Sequence, residues 1–142
     1  MRFFWIIIPL FFIGCLSYNI PEMVAVSPIS WDDVARVTIA NSDTVSLRDV
    51  DIIIRHNSNF VGDSLLLSVV TTTPDSIVFR EVLMINMPNA MAPSVVSNEI
   101  VVGYRRDVLF DKTGEYTMEF TPATEVEGVK AVGVNIVYKN NN

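Results

Sequence analysis

Gly114-Glu115-Tyr116-Thr117-Met118-Glu119-Phe120-Thr121 decides the fold class. Side chains alternate across a β-strand, so Tyr116, Met118 and Phe120 fall on one face and Glu115, Thr117, Glu119 and Thr121 on the other. A helix would keep Tyr116 and Phe120, four apart, on one face but swing Met118 to the opposite side. A half-buried strand gathers them into one apolar face backed by one solvated face.

The same period recurs on either side. Between Arg48 and Arg55, Val50, Ile52 and Ile54 point inward while Asp49, Asp51 and Arg55 point outward. From Ala131 to Tyr138, Val132, Val134, Ile136 and Tyr138 share one side, with Gly133 and Asn135 on the other. Four weaker segments follow suit: Val34 to Ala40 with Val37 and Ile39 inward, Ser64 to Thr72, Ile77 to Met87, and Val101 to Phe110. The second of these is aliphatic on both faces, as a central buried strand would be. Turn chemistry separates the segments at Asn41-Ser42-Asp43, Asn57-Ser58-Asn59, Gly62-Asp63, Pro74-Asp75, Pro88-Asn89, Asp111 to Gly114 and Glu127-Gly128. About seven or eight strands, with no amphipathic helix, predict an all-β, antiparallel β-sandwich, Ig-like or jelly-roll-like, as one domain over residues 31–142. Pro88 to Asn98 is the longest irregular stretch and predicts a mobile loop. No internal repeat is visible.

The N-terminal stretch has a different grammar. Arg2 supplies a positive n-region, Phe3 to Ile13 an apolar run, and Gly14 a small residue before Cys15. The run is too short to span a bilayer, which takes roughly 20 apolar residues, and Pro9 interrupts it. Gly14-Cys15 resembles a bacterial lipobox, with bulky Phe12 and Ile13 in its first two positions. The resemblance implies cleavage of a signal peptide over residues 1–14 after Gly14 and diacylglycerol on the Cys15 thiol. An ordinary secretory signal with a leftover cysteine is the alternative; the lipobox is preferred because the chain's single Cys falls where processing needs it. Two or three acyl chains, at ~0.8 kcal/mol per buried methylene, anchor a protein durably. Residues 15–30 then read as a flexible tether, since Tyr18, Asn19, Pro21, Ser27 and Pro28 follow no period. Fifteen residues at roughly 3.3 Å each would reach about 50 Å.

Cleavage would remove 14 of 142 residues, and with Arg2 gone nine basic groups face sixteen acidic ones. Such acidity argues against nucleic acid and against an electrostatic grip on anionic lipid. With the thiol lipidated no disulfide can form, so a hydrophobic core must carry stability.

Catalytic groups are sparse. His56, the single histidine, reads either as a general base or as a partly exposed strand-end residue; the second is preferred, because no nucleophile motif accompanies it. One His and one lipidated Cys cannot make a zinc site, no calcium loop or phosphate cradle is spelled out, and no cofactor is expected. Asp49 with Asp51, and Glu125 with Glu127, could supply the paired carboxylates of a glycosidase, but read better as solvated faces. Trp31 and Tyr104 would be the platform of a surface carbohydrate-binding lipoprotein, though each is more commonly a core anchor.

Three blocks together resemble the GldH family, the gliding-motility-associated lipoproteins of the Bacteroidetes phylum. They are Ser42-Asp43-Thr44 followed by Val50 to Asn57, Gly114-Glu115-Tyr116, and Glu127-Gly128-Val129-Lys130-Ala131-Val132-Gly133-Val134-Asn135-Ile136. The family's mid-chain Trp is missing from Pro88 to Gly103. The resemblance implies a membrane-anchored lipoprotein of the cell envelope that is no enzyme, takes no small-molecule substrate, and partners other envelope proteins of a gliding and type IX secretion machine. Leu16 to Ile20 carries no acidic residue, unlike many surface-exported lipoproteins of that phylum, which favours the periplasmic side. Within the closing block, Gly128 suits a turn with positive φ. Gly133 inside a strand predicts a bulge or a close backbone approach, by a partner or by another strand of the same sandwich.

Overall fold

The period-two rows identified above become strands shared between two facing sheets. The structure, a computed structural model, describes residues 19–88 and 97–139. Its strands are β1 (Asn19–Ala25), β2 (Ala35–Asn41), β3 (Leu47–His56), β4 (Ser64–Thr72), β5 (Val78–Asn86), β6 (Asn98–Leu109), β7 (Gly114–Pro122) and β8 (Val129–Tyr138). Among the described residues there is no helix long and apolar enough to cross a membrane.

One sheet has the order β1-β8-β3-β6 and the other β2-β7-β4-β5. The pairs β1–β8, β2–β7, β3–β6 and β4–β5 are all antiparallel, so the chain is one long hairpin whose tip is the β4–β5 turn. Pairing of β3 with β8 and of β4 with β7 rolls that hairpin into two layers. This is jelly-roll connectivity, one of the two sandwich topologies expected.

The core follows the inward rows. Tyr116, Met118 and Phe120 of β7, Val50, Ile52 and Ile54 of β3, and Val132, Val134 and Ile136 of β8 are all buried in one cluster with Leu65, Leu67 and Val69 of β4. Each such side chain contributes about 1.5–3 kcal/mol against the entropy of ordering its strand.

Two expectations change. The tether expected over residues 15–30 is cut short, because β1 pairs with β8 from Asn19↔Val137 to Ala25↔Ala131. The folded domain thus reaches back at least to Asn19, well before Trp31. Pro21 is tolerated because β1 is an edge strand, where a missing N–H can face away from the ladder. Second, β4 is central in its sheet but covered on one face alone: Leu65, Leu67 and Val69 are buried while Leu66 is exposed. Of the loop expected from Pro88 to Asn98, residues 89–96 lie outside the described residues.

The strands define two ends. The proximal end, where β1 begins, carries the β2–β3 loop, the β4–β5 turn and the β6–β7 turn; Lys139 N–H donates to Leu47 O there, and Asn41 Nδ2 to Phe110 O and Lys112 O. At the distal end Trp31 and Val126 exchange backbone hydrogen bonds, and the Asn57 N–H donates to Gly128 O.

Candidate functional site

Gly14 and Cys15, the expected cleavage and lipidation residues, lie outside the described residues. The two expected contact glycines are both met from within the chain. Gly128 has φ +89°, and a Cβ there would stand 2.2 Å from Phe60 N. A Cβ on Gly133 would stand 2.1 Å from Glu22 O and 2.7 Å from Met23 Cα, so the close approach is that of β1. Gly133 makes no bulge, since β1 and β8 run in register through it.

His56 is a correction. It is 1% exposed, where a partly exposed strand end was expected, because β3's inward row continues Val50, Ile52, Ile54 to His56. Its ring meets Phe60 edge-on at 6.3 Å, Nδ1 lies 3.4 Å from Asn57 O, and Nε2 has no hydrogen-bond partner. A sealed imidazole of this kind cannot reach a substrate proton.

Asp49 and Asp51 sit on the outer face of β3 within an ionic network. Arg106 Nη1 lies 2.8 Å from Asp51 and 3.7 Å from Asp49, while Lys139 Nζ lies 3.5 Å from Asp49 and 2.7 Å from Asp107. Asp107 has φ +54° at an irregularity in the β3–β6 ladder, and this turns its N–H to donate to Asp49 at 3.0 Å. That backbone hydrogen bond, then Lys139 and Arg106, hold the Asp49 carboxyl below its usual range. A general acid needs the opposite shift. Glu125 accepts a hydrogen bond from Ser30 on an exposed loop. Trp31, 0% exposed with Nε1 donating to Asp33 O at 2.9 Å, offers no sugar platform. Among the described residues no group of three or more His, Cys, Asp or Glu is placed to hold a metal ion.

The open flank of the sandwich lies between the edge strands β5 and β6. A cleft of about 500 Å³ opens there, with Phe79, Val108 and Leu109 among its lining and the buried Ile39, Val50 and Met118 reached through it. A polar staple crosses the gap. Tyr104 Oη donates to Glu81 Oε2 at 2.5 Å, and Arg105 pairs with the other Glu81 oxygen while its guanidinium covers the Tyr104 ring at 4.2 Å. Burial first, then the Glu81 bond, push the Tyr104 phenol up to about 12. The same bond is the main reason Glu81 titrates below its usual value.

Two further features escaped the sequence reading. The outer face of β4 and β5 is apolar and uncovered: Leu66 (46% exposed) opposes Met84 (71%), and Val82 (66%) and Val78 (46%) continue the row. Alternation within Val78 to Asn86 was the available signal, obscured by Arg80 interrupting the row. At the proximal end Arg48 is buried between the Phe110 and Tyr138 rings, 4.7 Å from each, and donates to Asp43 O. Its phase with Val50 and Ile52 pointed inward; its charge argued otherwise.

No family model and no curated protein matches the chain. Among solved structures it is similar to the enzymatically active domain of tailspike protein 4 of bacteriophage CBA120, at 10% identity and a TM-score of 0.30, over 86% of this chain and 19% of that one. The chain thus spans about a fifth of that protein, and so distant a likeness carries no argument about activity.

Proposed function

We propose that this protein is a lipid-anchored cell-envelope protein that works by contact and catalyses nothing. Within that class, the blocks around Asp43, Tyr116 and Gly133 support a subunit resembling the GldH lipoproteins, facing the periplasm and assembling with other envelope proteins of a gliding and secretion machine. The observation that carries the assembly role is the uncovered row of Leu66, Val78, Val82 and Met84 on an edge strand and its neighbour. Exposed apolar surface of this kind, broken here by Arg80, marks interaction sites, and β5 also lies at the edge of its sheet.

The test has two parts. Cells fed an alkyne-bearing palmitate should label the wild-type chain and not Cys15→Ala. A photo-crosslinking amino acid at Val82 or Met84 should capture neighbours in intact envelopes, while the same group at distal Val61 captures few. A chain that takes no lipid and crosslinks to nothing from β5 would defeat the proposal.

A further inference from the structure

The shortened tether fixes which end of the domain faces the anchor. Asn19 already pairs with Val137, so at most three residues, Leu16 to Tyr18, separate Cys15 from β1. Four Cα steps reach at most about 14 Å, against the roughly 50 Å of a tether ending at Ser30. The strand they enter begins at the proximal end.

That same end collects exposed apolar side chains from three separate connections. Val45 (83% exposed) and Leu47 (41%) come from the β2–β3 loop and the start of β3. Ile77 (50%) comes from the β4–β5 turn, and Leu109 (47%) from the last residue of β6. These positions are distant in sequence and share one end only because the rolled hairpin returns each connection to it. The carboxylates among them are already engaged. Asp43 accepts from the N–H groups of Val45 and Ser46 at 3.0 Å each, Asp75 from Thr73 Oγ1 at 2.5 Å, and Asp107 lies 2.7 Å from Lys139. Lys112 lies 3.8 Å from Asp111.

From this arrangement we infer that the proximal end is a membrane-docking face, whose occupant is the zwitterionic phospholipid surface holding the anchor. Val45, Leu47, Ile77 and Leu109 enter the headgroup boundary, and the domain stands upright with β4 and β5 free along its side. The acidic chain gives anionic lipid no foothold, so apolar contact next to a covalent anchor sets the orientation. Arg48, clamped between Phe110 just past β6 and Tyr138 at the end of β8 and bonded to the loop bearing Val45, makes that loop rigid with the core. The inference rests on lipidation of Cys15.

The experiment uses the full mature lipoprotein in phosphatidylcholine vesicles containing shallow-brominated acyl chains. Tryptophan is placed at Val45 or, as a second proximal probe, at Ile77, and as a control at Val61 on the distal β3–β4 loop, 89% exposed. The intact mass of each preparation reports the acyl chains separately. In lipidated protein, Val45→Trp and Ile77→Trp should lose about half their added emission to bromine and shift to the blue, as residues seated ~5–10 Å into the interface do. Val61→Trp should be unaffected. Lipidated protein in which the proximal probes stay unquenched, whether wet or blue-shifted by a protein contact, overturns the docking face. A chain whose mass lacks acyl groups overturns the anchor itself.

Discussion

The two flanks of the jelly roll are closed by different chemistry. On one, β1 and β2 meet with Val24 and Val26 packed on the core and Trp31 fully buried behind them. Gly133 lets the β1 backbone press against β8 there. On the other, β5 and β6 stand apart over a cleft of about 500 Å³ and are joined by Glu81, Tyr104 and Arg105. Apolar closure draws on every atom it buries, whereas a hydrogen bond nets only about 0.5–1.5 kcal/mol because water offers a substitute. The first flank therefore holds the fold, and the second can be altered without losing it.

Removing the closed flank's keystone should have the largest effect. Trp31→Ala empties a fully buried site and should cost about 3–5 kcal/mol in urea unfolding. Gly133→Ala comes next. Its new Cβ meets backbone atoms of Glu22 and Met23, which cannot swing aside as a side chain would. Either β1 lifts or the sheet strains, at about 1–3 kcal/mol. Hydrogen exchange should locate the damage, with amides of β1 losing protection before those of β4. Were β1 to exchange no faster than in wild type, the close approach would not be what holds that edge.

How much of this was legible in the sequence depended on the range of the interaction. The rows Tyr116-Met118-Phe120 and Val50-Ile52-Ile54 are local and unmixed, so their burial followed from alternation alone. Arg48 and His56 occupy the same β3 phase and are buried too, but their polarity was given more weight than their position. Pro21 was read as a breaker, because nothing local says that its strand would lie at an edge. Tyr104 and Glu81, 23 residues apart, meet across two sheets, and no period encodes that. The apolar outer face of β4 was visible in Ser64 to Thr72, yet it was assigned a covering layer that the single chain does not supply.

The open flank should respond more mildly and show a pH signature. Tyr104→Phe removes one partly buried hydrogen bond to a carboxylate and should cost about 1 kcal/mol. The phenol is raised from 10.0 to about 12, so folding favours its neutral form. That stabilisation is complete below pH 10 and is lost as the pH rises toward 12. Glu81 is lowered from 4.5, so its contribution holds above pH 4.5 and disappears as the pH falls beneath it. Asp43, Asp49 and Asp75 are also lowered and share the acid limb, and Lys139, raised from 10.5 chiefly by its bond to Asp107, shares the alkaline one, so the reporter is the difference between wild type and Tyr104→Phe. In thermal melts, wild type should lose stability between pH 10 and 12, and Tyr104→Phe should flatten that fall. An alkaline limb unchanged in the variant would mean that the staple is not closing the flank.

The smallest stability effect belongs to the outer face of β5, and there the comparison sharpens most. Met84 is 71% exposed and its side chain lies outside both flanks, so Met84→Lys should move unfolding by no more than about 0.5 kcal/mol. A charge placed opposite Leu66 should nonetheless reduce crosslinking from Val82 severalfold, since a lysine in a desolvated contact must be paired or hydrated. Stability and capture thus separate if the face is kept apolar for a partner. If Met84→Lys instead destabilised the domain as much as Gly133→Ala, the exposed row would be part of the fold's own stabilisation, and β5 would be no freer to bind than the closed flank.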